Sequence, residues 1–281
     1  VPKKYPNIAK IFDKEWFESE FKKEKEEMHL LARQFTYDEE DRISLHLIHL
    51  EDYLATMQEE IARDENKKHF YEGLRDKDFH KYRSTLAEIE IASLFKNMGF
   101  PVQLEPPIPD SGKNRSGDIK IIDAETEVFI EVRTIRDKNG EILDKGKWVE
   151  MSIMKFHRPI DFKSKIEDEI HGLSGLYPGI VVLYLDPSII NGRDIEKAFY
   201  DGTAWIVNGE VVHIEPGESA MDYTIISALL VYSHSFSDGS KIRKELHLNP
   251  KANISLPDSI ITKFRDSGIE IKEEPIELER N

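Results

Sequence analysis

Asp118-Ile119-Lys120-Ile121-Ile122 and Val128-Phe129-Ile130-Glu131-Val132-Arg133-Thr134 decide the fold class. Both runs are rich in β-branched and aromatic residues. The polar stretch Asp123-Ala124-Glu125-Thr126-Glu127 separates them, so together they predict a β-hairpin. Side chains alternate faces along a strand. Asp118 therefore shares a face with Lys120, and Glu131 shares one with Arg133. Two carboxylates and two cations can then converge on one patch of sheet.

Working outward, the chain before the hairpin reads as helical from about Lys10 to Gly99. Ile43, Leu47, Leu50, Leu54, Met57 and Ile61 recur at three- and four-residue spacing, the pattern of an amphipathic helix packed on one face. Gly73 and Arg75-Asp76-Lys77-Asp78 read as a break. A second helix, Phe79 to Met98, follows and stops at Gly99. It carries Glu88, while Glu90, two positions on, is expected to point elsewhere as a surface charge or ion-pair partner. After the hairpin, Phe162 to Leu173 reads as a helix and Gly179 to Leu185 as a strand buried on both faces, which suggests a crossover. A helix near Arg193 to Tyr200 and strands near Ala204 to Ile214 and Tyr223 to Tyr232 complete an α/β set. The expected division is a mostly helical N-terminal lobe over 1–78, an α/β domain over 79–269 and an acidic C-terminal tail or edge element over 270–281.

The chain has 281 residues, 39% hydrophobic and 33% charged, which is enough apolar content for a folded protein. It has no cysteine. Disulfides, thiolate metal sites and cysteine nucleophiles are excluded, and a reducing compartment, the cytoplasm by default, fits best. The start, Val1-Pro2-Lys3-Lys4-Tyr5, lacks an apolar signal core, and the longest apolar runs are too short to cross a bilayer. No membrane role is expected. With 54 acids against 39 bases the net charge is −15, which argues against a broad nucleic-acid clamp. A local basic groove around an acidic centre is still compatible with it.

Paired carboxylates have a specific use. A hard cation such as Mg²⁺, with Mn²⁺ as a substitute, is held by one or two of them, keeps several waters and can present one to a phosphodiester. A nearby lysine or arginine stabilises the charge that develops in the transition state. Only lysine can also help to deprotonate the water, because arginine stays protonated.

The order of these residues resembles the PD-(D/E)XK, or restriction endonuclease-like, nuclease superfamily. Glu88 lies in Thr85-Leu86-Ala87-Glu88-Ile89-Glu90-Ile91-Ala92-Ser93-Leu94-Phe95-Lys96-Asn97-Met98-Gly99-Phe100, which is similar to the glutamate-bearing helix of archaeal Holliday-junction resolvases. Asp118 looks like the motif aspartate, and Glu131-Val132-Arg133 occupies the place of the acid-x-Lys triplet. The resemblance covers about Phe79 to Asp186. It implies an αβββαβ core and a metal-dependent DNA endonuclease, with a homodimer compatible. Asp118, Glu131 and the main-chain carbonyl of Val132 would hold the ion, with Glu88 in support.

Two positions depart from the family pattern. Gly117 precedes Asp118 where proline is usual, and Arg133 stands in place of lysine. Lys120, on the Asp118 face, is the nearest substitute, with Lys163 or Lys165 behind it. Arg133 could instead hold Glu131 in a bidentate ion pair, and the core would then bind without cutting, as a nucleic-acid-binding or protein-interaction module. Gly112-Lys113-Asn114-Arg115-Ser116-Gly117 lacks the order of a phosphate loop and leads into a strand. Its Lys113 and Arg115 are candidate phosphate contacts, as are Lys163 and Lys165. His46 and His49 share a helix face but have no third ligand, so they are read as surface or packing residues.

Overall fold

The computed structural model describes residues 3–25, 27–39, 45–109, 116–134, 158–160, 173–185, 202–207, 210–216, 224–233 and 243–272. They form two compact units, the first running to Leu104 and the second starting at Glu105. No helix among the described residues is long and apolar enough to cross a membrane. The helix expected over Phe162 to Leu173, apart from Leu173 itself, and the one expected near 193–200, together with Lys113, Arg115, Lys163 and Lys165, lie outside the described residues.

The first unit is helical. Its elements are α1 (Pro6–Ile11), α2 (Lys14–Glu20), α3 (Leu30–Glu39), α4 (Leu45–Ile61), α5 (Asp64–Arg75) and α6 (Phe79–Asn97), followed by the short strand β1 (Val102–Leu104). In α4, Leu47, Leu50, Leu54, Met57 and Ile61 are buried, as their spacing requires. Glu51 faces α1, where its carboxylate accepts the main-chain N–H groups of Asn7 and Ile8, each at 2.9 Å. Those amides belong to the first turn of α1 and have no partner within the helix. A carboxylate reaching over from α4 both satisfies them and suits the positive end of the helix dipole.

Two features of the first unit correct the sequence reading. Gly73 is not a break, since α5 runs on to Arg75. The glycine serves packing instead: a Cβ there would lie 2.1 Å from Thr85 Oγ1 and 3.0 Å from Thr85 Cβ, so α5 and α6 meet where only hydrogen fits. Glu90 is not a surface charge. It is 1% exposed and accepts a 3.0 Å hydrogen bond from Tyr53 of α4. Residues 85 to 93 of α6 are all buried, so no side of that stretch offers a surface for a charge. The end of α6 follows its sequence signal. Gly99 takes φ +84°, and Phe100 N–H closes back on Phe95 O at 3.2 Å, a glycine-dependent helix stop.

Compactness places α6 in the first unit, whereas its sequence grouping is with the strands that follow. The second unit contains β2 (Ile119–Asp123), β3 (Thr126–Thr134), β4 (Arg158–Ile160), β5 (Gly179–Leu185), β6 (Gly202–Val207), β7 (Glu210–Pro216), β8 (Ala228–Ser233), β9 (Arg243–Leu248), α7 (Asp258–Asp266) and β10 (Glu270–Lys272). The main sheet runs β2-β3-β5-β8-β9-β10, and β4-β6-β7 form a separate antiparallel sheet. The architecture is mixed α/β.

The strands at the centre of the sheet are the most apolar. β2 and β3 pair antiparallel through a tight turn, with Ala124 at φ +53°. β3, β5 and β8 are parallel, and the described residues of β5 and β8 are buried throughout, the pattern of strands covered on both faces. Each fully buried aliphatic side chain there contributes about 1.5–3 kcal/mol. β10 adds to β9 as a parallel edge strand, which assigns residues 270–272 of the expected tail or edge element to an edge.

Candidate carboxylate site on the β2–β3 hairpin

The register of the hairpin fixes the site. Ile119 lies opposite Ile130 and Lys120 opposite Phe129, so one step outward Asp118 lies opposite Glu131. Residues opposite each other in an antiparallel pair project to the same face. That face carries Asp118, Lys120, Glu127, Phe129, Glu131 and Arg133, and the other carries Ile119, Ile121, Asp123, Val128, Ile130 and Val132.

Asp118 and Glu131 are tied to each other's strands. Val132 N–H donates to Asp118 Oδ2 at 2.7 Å, and Asp118 N–H donates to Glu131 Oε1 at 3.3 Å. Asp118 sits just before β2, so its carboxylate extends the ladder beyond the end of that strand. Glu131 is 5% exposed and Asp118 half-buried. Each main-chain bond uses one acceptor position of a carboxylate with about four. The bonds hold the two acids side by side.

The remaining members of this face are distributed along it. Phe129 is fully buried, its ring 5.5 Å from that of Tyr177. Lys120 reaches Glu127 at 2.8 Å, in the direction away from Asp118, so its ammonium is engaged toward the turn of the hairpin. Arg133 is half-buried two residues beyond Glu131 on the same face.

On the opposite face Asp123 meets Lys263 of α7 at 2.7 Å. The hydrogen bonds from Lys263 and Ser259 hold the Asp123 carboxyl below its usual range. At this end of the hairpin α7 therefore covers the face turned away from Asp118 and Glu131.

Glu88 belongs to the first unit. It is 8% exposed and lies 3.1 Å from Nε2 of His69 on α5. The sequence reading overlooked His69, which stands nineteen positions before Glu88 with no shared pattern to join them. Only the packing of α5 on α6 makes them neighbours. His46 and His49 are packing residues. His46 Nε2 lies 2.8 Å from Tyr82 Oη, and the His49 ring stacks on Tyr53 at 6.1 Å.

A cleft of about 480 Å³ lies elsewhere in the second unit, lined by Ser227, Asn249, Asp258, Thr262 and Arg265 among others. Its two buried polar side chains have internal duties. Ser227 Oγ accepts from Gly179 N–H at 2.9 Å and donates to Ile254 O at 2.5 Å. Asn249 donates to Ile226 O at 2.8 Å and accepts from Lys251 N–H at 3.0 Å. These bonds join the starts of β5 and β8 to the end of β9, and they account for the Leu248-Asn249-Pro250 segment as architecture.

No family model, curated protein or solved structure matches the chain.

Proposed function

We propose that the strands of the second unit belong to a restriction endonuclease-like core and that the protein is a metal-dependent DNA endonuclease, with Asp118 and Glu131 as its metal-holding acids. The observation that carries this reading is the reciprocal pairing of these two side chains with Val132 N–H at 2.7 Å and Asp118 N–H at 3.3 Å. It gives two adjacent carboxylates on one face, pre-positioned by main-chain donors rather than by flexible side chains. The donor set is all oxygen and anionic, which suits Mg²⁺ or Mn²⁺ and suits softer ions poorly. When bound, such an ion supplies an activated water and neutralises charge on a phosphodiester.

The chain's own residues divide the remaining work. Arg133 would offset the charge that builds on the phosphate, as a fixed cation that carries no proton traffic. Phe129, buried on the same face, lowers the local water content and would strengthen the electrostatics there. The sequence resemblance assigns Glu88 to support of the ion.

A non-cutting module on the same fold is the rival. It is favoured by one observation: Lys120, the nearest substitute for the missing motif lysine, is engaged by Glu127. Incubation with single- and double-stranded DNA and with RNA, in Mg²⁺ or Mn²⁺, separates the two. Cleavage that falls at least ~100-fold in Asp118→Asn and Glu131→Gln, the scale of a lost transition-state contact, supports the nuclease. Cleavage unchanged by both substitutions rejects it, and nucleic-acid binding without cleavage supports the rival.

A further inference from the structure

His29, in the first unit, is held at both ring nitrogens in opposite senses. Leu31 N–H donates to Nδ1 at 3.2 Å. A main-chain amide can only donate, so Nδ1 carries no proton, and Nε2 is the N–H that donates to Asp76 O at 2.8 Å. The structure thereby fixes one neutral tautomer. Leu31 is the second residue of α3, and its amide is one of the four that a helix start leaves unsatisfied, so the imidazole is the cap of that helix.

The ring is also where the unit's pieces meet. His29 is 3% exposed, with Phe12, Trp16 and Tyr82 rings at 6.1, 5.2 and 5.1 Å. Its main-chain N–H donates to Glu20 at the end of α2 at 2.8 Å. The residues that meet at this one ring come from the segment after α1, from α2, from α3, from the α5–α6 turn and from α6.

We propose that His29 is a proton-operated latch: neutral, it caps α3, and protonated at Nδ1 it releases that cap while Nε2–H keeps its bond to Asp76 O. A proton added at Nδ1 places N–H against N–H and abolishes the cap. The charged groups facing the ring act in both directions. Glu20 and Asp76 favour the imidazolium, Lys23 opposes it, and burial opposes it most, so the ring's pKa lies below 6.5. Glu20 is itself committed to Lys23 and Asp76 to Lys81 at 3.2 Å, so neither acid is a dedicated counter-ion. Tyr82 stays un-ionised, raised by burial, and its hydroxyl contacts His46.

The sign follows from linkage. The folded ring binds its proton less readily than the released ring does. The latch's contribution is therefore complete above about pH 6.5 and is lost as pH falls below it, until the folded ring protonates as well. Opening at α3 should increase about tenfold per pH unit across that window, the slope of one proton.

The test is ¹⁵N NMR of the full chain, with His29 assigned through its neighbour Leu31. At pH 7.5 Nδ1 should be bare and Nε2 protonated, and the Leu31 amide, corrected for intrinsic exchange, should lose about tenfold protection per pH unit below 6.5. His29→Gln keeps a donor for Asp76 O but cannot titrate, and should show no such slope. A proton on Nδ1 at pH 7.5, flat Leu31 protection between pH 7.5 and 5, or an unchanged slope in His29→Gln would each overturn the proposal. The first two readings use the unsubstituted chain and stand even if the variant does not fold.

Discussion

Asp118 and Glu131 each accept a main-chain N–H from the neighbourhood of the other, Val132 N–H at 2.7 Å and Asp118 N–H at 3.3 Å. The two acids thus have a structural duty, ending the β2–β3 ladder, beside the chemical one proposed for them. Substitutions can separate the duties because hydrogen-bond acceptance and charge are lost by different changes.

Asp118→Asn keeps an oxygen for Val132 N–H and removes the charge. It should unfold in urea within about 0.5 kcal/mol of the parent, whereas Asp118→Ala strands a half-buried amide and should cost about 1–3 kcal/mol. Equal stability of the two variants would show that the 2.7 Å bond contributes nothing.

In the proposed nuclease, Arg133 and Lys120 are the two candidates for the role of the motif lysine. Lys120 is bound to Glu127 at 2.8 Å, with only 14% of its side chain exposed. Lys120→Met should therefore leave cleavage within a few-fold and cost about 1 kcal/mol of stability, the upper range for an ion pair near the surface. Arg133→Ala should lower cleavage about 100-fold. The reverse pattern, measured on the same DNA substrate, would assign the role to Lys120.

Gly73→Ala should be costly for a reason unrelated to helix propensity, which would favour it. The new Cβ would lie 2.1 Å from Thr85 Oγ1 and 3.0 Å from both Thr85 Cβ and Cγ2, so rotating the threonine does not clear it. A loss of about 1–3 kcal/mol is expected, with partial recovery in Gly73→Ala/Thr85→Ala. Differential scanning calorimetry of the parent and the two variants checks this.

Lys263 holds the Asp123 carboxyl below its usual range, so the pair stabilises the second unit above about pH 4 and loses its effect as pH falls through the folded value. Lys263→Met should lower the urea midpoint at pH 7 by the equivalent of about 0.5–1 kcal/mol. The gap to the parent should close in acid. A gap independent of pH would mean that packing of the lysine stem, not charge, is what the substitution removes.

The hairpin was legible because its two signals are local. Alternation along β2 and β3 gives the shared face of Asp118 and Glu131, and the apolar run 179–185 gives β5 directly. The helix stop at Gly99 was legible for the same reason. Glu90, Gly73 and His69 were misread or missed because their roles are set by neighbours far along the chain: Tyr53 for Glu90, Thr85 for Gly73 and Glu88 for His69. A buried glutamate and an exposed one have the same sequence signature when a helix is covered on most sides, as α6 is from residue 85 to 93. The pairing of Lys120 with Glu127 was half visible, since the register of the hairpin places both on one face, but nothing local favours Glu127 over Asp118 as its partner.

The central claim is that Asp118 and Glu131 together hold a divalent cation, and calorimetric titration of the full chain with Mn²⁺ tests it most directly. Binding in the millimolar range or tighter is predicted, lost in both Asp118→Asn and Glu131→Gln while each variant keeps the parent's circular dichroism spectrum. An absence of binding by the parent at millimolar Mn²⁺, or binding that survives both substitutions, would contradict the account.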